Sequence, residues 1–483
     1  MAKSLGEKAV KGVAWTTIQR FITIGIQFVS GIILARLLDP EDYGCIGMLS
    51  IFMLVAGSFV DGGFGSALIQ KKRPTQDDYS TIFYWNIAIS IFLYIVLFLC
   101  APLISRFYKI PLLSPVLRVQ GLVLIINACS AVQTSQLNKQ FKFKKMAIVS
   151  IITSVITIGV TIFMAYEGYG VWALVAQNLI TAIIPCLVYW ISNGWFPSFV
   201  FSKQSFRELF NFGFFIFMSN IINTICNNIQ GILIGRLYNP ATMGFYSKAH
   251  STELLVSTTI SNTLAQVSYP LYSELQDNRN NLLSVIKKLT TTLAFLIFPL
   301  VFGLILLAKP FFLLLYSEKW LPCVPYFQIL CIAGLATCMQ SVNAQSIAAV
   351  GKSRIMLNWT IIKQAVGTTM IVGGLFLCGI KGMLVGMVIR SWFVYFVNAL
   401  LVSKHIGYHI MQQFKNLLPI LIISCVSFLA AYLLNYFTEL NLYVEAIIGG
   451  MVFLVVYLGF SLFFHVEALT YVSQLIRQYI FKK

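Results

Sequence analysis

Charged residues are scarce in this sequence. Asp, Glu, Lys and Arg together make up 10% of its 483 residues, whereas hydrophobic residues make up 58%. An ordinary soluble domain has roughly 25% charged residues, and a soluble chain this apolar would expose large hydrophobic patches to water. The composition therefore excludes a soluble globular protein and indicates a chain that lies in a lipid bilayer.

The motifs of soluble enzymes are also absent from the sequence. No two of the four histidines have a metal-ligand spacing, and the ten cysteines contain no C-x-x-C pair, so neither a zinc site nor a disulfide framework is indicated. No Walker-type phosphate loop is present, since Ala349–Ser353 matches only the end of that motif. We therefore expect no metal, no cofactor and no enzymatic activity, and no ATP-driven transport by this chain alone.

Apolar runs of about 20 residues recur from one end of the chain to the other, and each can cross a hydrocarbon core of about 30 Å. They predict an all-α, polytopic membrane protein with about fourteen transmembrane helices. The predicted spans are roughly 13–36, 45–69, 81–105, 113–137, 146–166, 170–192, 212–235, 245–270, 287–308, 325–349, 355–377, 382–402, 416–434 and 444–465.

The formal net charge is +18, and its Lys and Arg residues form short clusters between the spans, such as 71–73 and 287–288. Clusters of this kind orient a membrane protein, because cytoplasmic loops carry an excess of Lys and Arg. We therefore interpret the charge as a topology signal and expect no nucleic-acid partner. With an even number of spans, the clusters predict that the N- and C-termini are both cytoplasmic.

An internal repeat divides the chain. Gly31–Gly44 recurs as Gly231–Gly244, with Gly, Ile, Arg, Leu, Pro and Gly at a constant offset of 200 residues. In both copies an apolar helix with Arg near its end is followed by an Asp-Pro or Asn-Pro turn. Six predicted spans separate the copies, so the repeats are parallel and face each other around a central space. The predicted domains are a six-helix lobe at 1–200, a second at 201–410, and a final helix pair with an interfacial C-terminal helix at 411–483.

Polar side chains form a stripe on each of the two equivalent helices, at spacings of three or four residues. The first stripe is Thr16, Arg20, Thr23, Gln27 and Ser30, and the second is Asn220, Asn223, Asn227 and Gln230. Facing each other, the stripes would line a hydrophilic cavity, to which Arg390 would contribute. Further walls would come from the fourth span, with Gln120, Asn127, Gln133, Thr134 and Gln136, and from the Ser- and Thr-rich eighth span, with Lys248, His250 and Glu253. The alternative is that these residues form hydrogen bonds between helices of a packed bundle.

Several ionisable residues lie at membrane depth, where charge is costly and often functional. Arg20 is the first candidate to hold a phosphate, because it belongs to the polar stripe and the guanidinium group can donate two hydrogen bonds to one anion. Asp61 and Glu253 are candidates for coupling to protons or sodium ions. The Asp-Gly-Gly sequence at Asp61 also indicates the end of a helix.

Several short motifs, in order along nearly the whole chain, resemble those of one transporter family. They are Gly12–Trp15, Ala35–Gly44, Asp61–Gly65, Ala67–Gln70, Gln136–Lys145, Asn239–Lys248, Tyr269–Ser273, Trp320, Gln328–Leu330 and Ala349–Lys352. The sequence resembles the polysaccharide transporters, or Wzx-like flippases, of the multidrug/oligosaccharidyl-lipid/polysaccharide exporter superfamily.

This resemblance implies two six-helix lobes and a final helix pair around a cavity that opens to each side of the membrane in turn. The implied activity is transfer of an undecaprenyl-pyrophosphate-linked oligosaccharide from the cytoplasmic to the outer leaflet of the bacterial plasma membrane. Its implied partners are the lipid-linked oligosaccharide, membrane lipids and the polysaccharide polymerase machinery. Two alternatives stay open: an ion-coupled drug exporter of the same superfamily, with about twelve spans, and a membrane glycan polymerase, which needs a large outer loop.

Overall fold

A computed structural model describes residues 2–276, 278–350, 353–438 and 441–471. Within these ranges every regular element is a helix and no strand occurs, so the predicted all-α membrane fold is confirmed. The first helices are α1 (Ala2–Leu37), α2 (Pro40–Asp61), α3 (Phe64–Gln70), α4 (Gln76–Tyr108), α5 (Leu113–Gln120), α6 (Leu122–Lys139), α7 (Phe143–Tyr166), α8 (Val171–Asn193) and α9 (Lys203–Leu237). They are followed by α10 (Pro240–Glu274), α11 (Arg279–Leu306), α12 (Ala308–Tyr316), α13 (Cys323–Ala349), α14 (Ser353–His405), α15 (Ile410–Phe437) and α16 (Leu442–Phe463).

The chain forms two compact units, Met1–Gly244 and Phe245–Lys483. In the first unit α1 packs on α7, α7 on α8, α6 on α4 and α8, and α9 along α2. In the second unit α11 packs on α13 and α15, and α15 packs on α16. The lobe boundaries at residues 200 and 410 stay predictions. Residues 472–483, which make up most of the predicted interfacial helix, lie outside the described residues.

The sequence repeat has the same helix boundaries in both copies. The first copy ends α1 at Leu37 and starts α2 at Pro40, and the second ends α9 at Leu237 and starts α10 at Pro240. Proline suits the first position of a helix because its missing N–H would have no partner there. The offset of 200 residues is thus an offset between equivalent helix–turn–helix units, as the sequence predicts.

The predicted span 45–69 is broken by a sharp turn. Helix α2 ends at Asp61, and Gly62 and Gly63 adopt positive φ angles of 53° and 73° before α3 begins. Only glycine takes up two such conformations in succession without steric cost. The predicted helix end at the Asp-Gly-Gly sequence is confirmed.

The predicted number of fourteen spans is not confirmed. In the described part of the chain, eleven helical stretches are long and apolar enough to cross a bilayer. Two predicted spans coincide with α9 and α10, which carry many Asn, Ser and Thr side chains and are not among the eleven. Two others, 355–377 and 382–402, lie in the stretch Trp359–His405, which non-helical backbone at Cys378 and Gly379 divides into two helices.

Candidate functional site

The first unit contains a polar cavity of about 960 Å³. Helices α2, α6, α8 and α9 form its walls, and Gln120 at the end of α5 completes it. Its lining residues are Ile46, Ser50, Met53, Leu54, Gly57, Ser58, Asp61, Gln120, Val123, Leu124, Asn127, Asn178, Thr181, Ala182, Asn220, Asn223, Thr224, Asn227 and Asn228. Ligand pockets usually enclose about 300–1,000 Å³, so this cavity is large enough for a sizeable solute.

Asparagine side chains dominate the polar part of this lining. Asn220, Asn223 and Asn227 share one face of α9 because they follow each other at helical spacing. Asn127 of α6 and Asn178 of α8 come from other walls of the same cavity. Each amide can donate two hydrogen bonds and accept others, so the cavity presents donors and acceptors together.

Helix α2 contributes two hydroxyls and one carboxylate. Ser58 Oγ donates to the carbonyl of Leu54 (2.9 Å) and lies 3.4 Å from Thr224 Oγ1 on α9. Ser50 Oγ donates to the carbonyl of Gly47 (2.7 Å). Among the described lining residues of this cavity, Asp61 alone is ionisable, and none is Lys or Arg. The described cavity therefore has a neutral polar surface with a single site of negative charge.

Neighbouring backbone approaches α2 closely on both sides of its cavity-lining segment, 46–61, from α10 near the start of α2 and from α9 just after its end. At one end a Cβ on Gly44 would overlap the carbonyl oxygen of Pro240, and a Cβ on Gly244 would overlap that of Pro40. At the other end a Cβ on Gly63 would overlap the carbonyl oxygen of Gly213. Between these ends Gly57 has no atom within 4 Å of its Cβ position.

Ion pairs reinforce the end near Gly63. Lys71 Nζ lies 2.9 Å from Glu208 Oε2 on α9 and 3.0 Å from Asp78 Oδ2 on α4. Partial burial alone would lower the pKa of the Lys71 ammonium, but the hydrogen bonds to Glu208 and Asp78 outweigh this and raise the pKa above the ordinary lysine value. The ammonium therefore links α9 to α4 across the neutral pH range.

Six residues of the predicted stripes are not among the lining residues of this cavity within the described chain: Thr16, Arg20, Thr23, Gln27 and Ser30 of α1, and Gln230 of α9. Arg20 is half-buried on α1, Gln27 is exposed, and Thr23 is partly buried. Gln230 is 2% exposed, and its Oε1 has no hydrogen-bond partner among the described residues. The structure thus brings together three of the four stripe residues of α9 but does not place the α1 stripe on the same surface.

Two further predicted site residues belong to the second unit. Arg390 Nη2 donates to Gln364 Oε1 (2.6 Å), and its aliphatic part packs against Gly367. Glu253 is 7% exposed and borders a cavity of only about 10 Å³, beside Gly334 and two cysteines. Glu253 therefore faces a nearly closed apolar space rather than a large polar cavity.

Some lining residues escaped the sequence analysis. Asn178 and Thr181 lie one turn apart on α8, and Ser50 and Ser58 lie two turns apart on α2. Their helical spacing was a usable signal, although a pair of polar residues on an otherwise apolar helix is weaker evidence than the four-residue stripe of α9.

Comparisons with known proteins place the fold and family. A family model described as a polysaccharide biosynthesis protein matches residues 33–325. The chain belongs to the polysaccharide biosynthesis protein family. This family member is 23% identical over 436 residues to the lipopolysaccharide biosynthesis protein WzxC of Escherichia coli (strain K12), covering 87% of this chain and 88% of that protein. The predicted resemblance to Wzx-like transporters is confirmed.

Two solved structures share the fold of this family member. The lipid II flippase MurJ in an inward closed conformation aligns with a TM-score of 0.76 at 17% identity, covering 95% of this chain and all of that chain (100%). An inward-facing multidrug resistance MATE family transporter aligns with a TM-score of 0.62 at 15% identity, covering 82% of this chain and 98% of that one. The chain is therefore a multi-pass membrane protein with a transporter fold.

Proposed function

We propose that this protein is an alternating-access flippase that moves an undecaprenyl-pyrophosphate-linked oligosaccharide from the cytoplasmic to the outer leaflet of the bacterial plasma membrane. The proposal includes cytoplasmic N- and C-termini, membrane lipids as the environment of the lipid tail, and delivery of the glycan to polymerase machinery. It includes no covalent step. The family membership supports a role in polysaccharide biosynthesis, and the cavity of the first unit supports transport of its lipid-linked intermediate.

The observation that carries this proposal is the convergence of asparagine side chains on one large cavity. A glycan that crosses the bilayer unaided loses the water around many hydroxyls and two phosphates, at a cost of several kcal/mol for each polar group left without a partner. The lining set of Asn127, Asn178, Asn220, Asn223, Asn227 and Asn228 supplies donors and acceptors that replace this water.

The charge of the cavity supports a division of the substrate between different sites. Its lining residues in the described part of the chain include no Lys or Arg, so it suits the neutral sugars better than the pyrophosphate. We propose that the pyrophosphate is held by basic residues elsewhere, with Arg20 and Arg390 as candidates. Replacing Arg20 by Ala tests the α1 stripe directly. Loss of transport would assign Arg20 a role in holding the substrate, although Arg20 is not among the lining residues of the cavity.

Transport by purified protein tests the proposal. Proteoliposomes are loaded with a radiolabelled or fluorescent undecaprenyl-pyrophosphate oligosaccharide, and its transfer between leaflets is compared with that in protein-free liposomes. In parallel, the same proteoliposomes are assayed for efflux of a fluorescent organic cation. We expect protein-dependent transfer of the glycan lipid and no cation efflux. Cation efflux without glycan transfer would instead support the drug-exporter alternative, and elongation of the glycan would support the polymerase.

A further inference from the structure

A second, smaller pocket adjoins the polar cavity. It encloses about 320 Å³ and is bounded by the end of α2, by α3, by α4 and by α6. Asp61 and Asn127 line both spaces, so the two are neighbours that share these side chains. The polar residues of the smaller pocket, called the side pocket below, are Asp61, Ser66, Asn86, Asn127, Ser130, Thr134, Ser135 and Asn138.

The hydroxyl groups on α6 turn their hydrogens away from the side pocket. Ser130 Oγ donates to the carbonyl of Asn127 (3.1 Å), Thr134 Oγ1 to that of Ser130 (2.9 Å), and Ser135 Oγ to that of Ala131 (3.0 Å). A hydroxyl whose one hydrogen is already donated keeps its oxygen lone pairs for another partner. This wall of the side pocket therefore presents hydrogen-bond acceptors.

Asn86 of α4 adds another acceptor with no partner. Its side chain is 2% exposed, and its Oδ1 has no hydrogen-bond partner among the described residues. A buried polar atom left unsatisfied costs about 1–3 kcal/mol. A ligand that interacts with this oxygen would recover that free energy.

Among the described lining residues of the side pocket, Asp61 alone carries a formal charge. Asp61 forms no ion pair with any Lys or Arg of the described chain. A Cβ on Gly65 would lie 3.3 Å from Asp61 Oδ1 and 3.6 Å from Ser135 Oγ. The absence of a side chain at Gly65 thus leaves space beside both oxygens.

The chemistry of these groups selects a class of ligand. Their converging atoms are oxygens, which bind hard cations, whereas zinc and other softer metals favour nitrogen and sulfur ligands. A single carboxylate balances one positive charge. The volume exceeds that of a bare ion, since each water occupies about 30 Å³ in the liquid, so a bound ion keeps part of its hydration.

We propose that the side pocket binds one partly hydrated alkali-metal cation. Its protein ligands are the Asp61 carboxylate, the side-chain oxygen Oδ1 of Asn86 and the acceptor hydroxyls of α6. Since Asp61 also lines the larger cavity, the cation neutralises the carboxylate of the cavity wall. Binding of the cation and of a solute in the cavity are therefore linked, and each changes the affinity for the other by the same factor. This linkage rests on the proposed function, whereas cation binding itself does not.

Direct binding of radioactive sodium and rubidium to the purified full-length protein, without any glycan lipid, tests the proposal. Rubidium serves as the probe for potassium. We expect saturable binding of one cation per chain by the wild type. Asp61→Asn removes the charge and Asn86→Leu removes the amide oxygen, and each should weaken binding at least about tenfold, which corresponds to 1.4 kcal/mol.

Two further variants separate a binding defect from a folding defect. Gly65→Ala keeps every proposed ligand but places a methyl group beside Asp61 and Ser135, so it should also weaken binding while the protein stays monodisperse. Glu167→Gln removes an exposed carboxylate at the end of α7 that lines neither space, and it should bind as the wild type does.

Three results would overturn the proposal. The first is that the wild type shows no saturable cation binding. The second is that binding is unchanged in both Asp61→Asn and Gly65→Ala. The third is that the protein responds to pH in a way that sodium and potassium do not change, which would make Asp61 a proton site. Cation binding without glycan transport in proteoliposomes would leave this site standing and contradict only the flippase function. Glycan transport without cation binding would contradict this site and leave the flippase function standing.

Discussion

Gly44 lies directly against the carbonyl oxygen of Pro240, at a distance that leaves no room for a Cβ atom. The same contact occurs between Gly244 and Pro40. These four residues occupy equivalent positions of the sequence repeat, 200 residues apart. The two copies therefore form a reciprocal contact at one end of the α2 segment that lines the polar cavity, and in this contact each glycine receives the backbone of the other copy's proline.

Substitution of these glycines should hold this end of the cavity apart. In Gly44→Ala or Gly244→Ala the added methyl group overlaps a carbonyl oxygen, and overpacking of this kind costs about 1–3 kcal/mol. If each transport cycle closes this end, glycan translocation should slow at least about fivefold. A cysteine at position 50, in an otherwise cysteine-free protein, should react faster with a maleimide because the cavity is more open.

The control for these variants is Gly159→Ala on α7, where no atom lies within 4 Å of the Cβ position. It should transport and react as the parent protein does. Equal rates in all three variants would show that the reciprocal contact is not part of the transport cycle.

The centre of the cavity should respond differently to a glycine substitution. Gly57 lines the cavity and has open space at its Cβ position, so Gly57→Ala should be tolerated and slightly stabilising, by up to about 1 kcal/mol from helix propensity. Gly57→Trp should fill part of the cavity and abolish glycan translocation while the protein stays folded. Gly159→Trp on α7 is the matched control. Full activity in Gly57→Trp would mean that the glycan passes elsewhere.

The ion pairs of Lys71 should contribute unequally to stability. Glu208→Gln breaks an exposed pair and should cost about 0–1 kcal/mol. Lys71→Met should cost more, about 2–3 kcal/mol, because Asp78, whose side chain is 1% exposed, loses its cation. Thermal unfolding in detergent, with the double variant completing the cycle, measures both effects, and equal costs would contradict the asymmetry.

The same ion pairs set a pH dependence. Hydrogen bonds to Glu208 and Asp78 raise the pKa of Lys71 in the folded protein, so its contribution to stability is fully present below the unfolded pKa of about 10.4 and is lost as the pH rises through the folded value. We expect the difference in melting temperature between the wild type and Lys71→Met to be constant near neutrality and to shrink in alkaline buffer. A difference that shrinks on acidification from neutral to mildly acidic pH would contradict this assignment.

Sequence patterns predicted where the helices begin and end better than they predicted which helices pack against each other. The repeat located the breaks before Pro40 and Pro240, because proline and its preceding turn act locally. The helical spacing of Asn220, Asn223 and Asn227 predicted one polar face, and the structure places that face on a cavity. Such spacing shows which residues share a face but not which helix that face meets, so it left open whether Arg20 and Gln27 border the same space.

The number of spans was harder to predict for a related reason. Hydropathy predicted a span at 212–235, yet α9, which carries the asparagines that line the cavity, is not among the eleven apolar stretches of the described residues. The side pocket could not be predicted at all, since Asp61, Asn86 and Ser135 come from three separate segments. Only the packing of α2, α4 and α6 brings them to one pocket.

The central claim is that the asparagine-lined cavity replaces the water of a glycan as it crosses the membrane. Asn220 and Asn227 are exposed within the cavity, so Asn220→Leu and Asn227→Leu remove amides without disturbing buried packing. Asn280→Leu, on the exposed start of α11, is the matched control.

The deciding measurement is the rate of translocation of labelled undecaprenyl-pyrophosphate oligosaccharide by these three variants and the wild type in proteoliposomes. A hydroxyl left without a partner costs about 1–3 kcal/mol, so each cavity variant should be slower by about fivefold or more, while Asn280→Leu keeps the wild-type rate. Wild-type rates in both Asn220→Leu and Asn227→Leu would contradict the claim that this cavity carries the glycan.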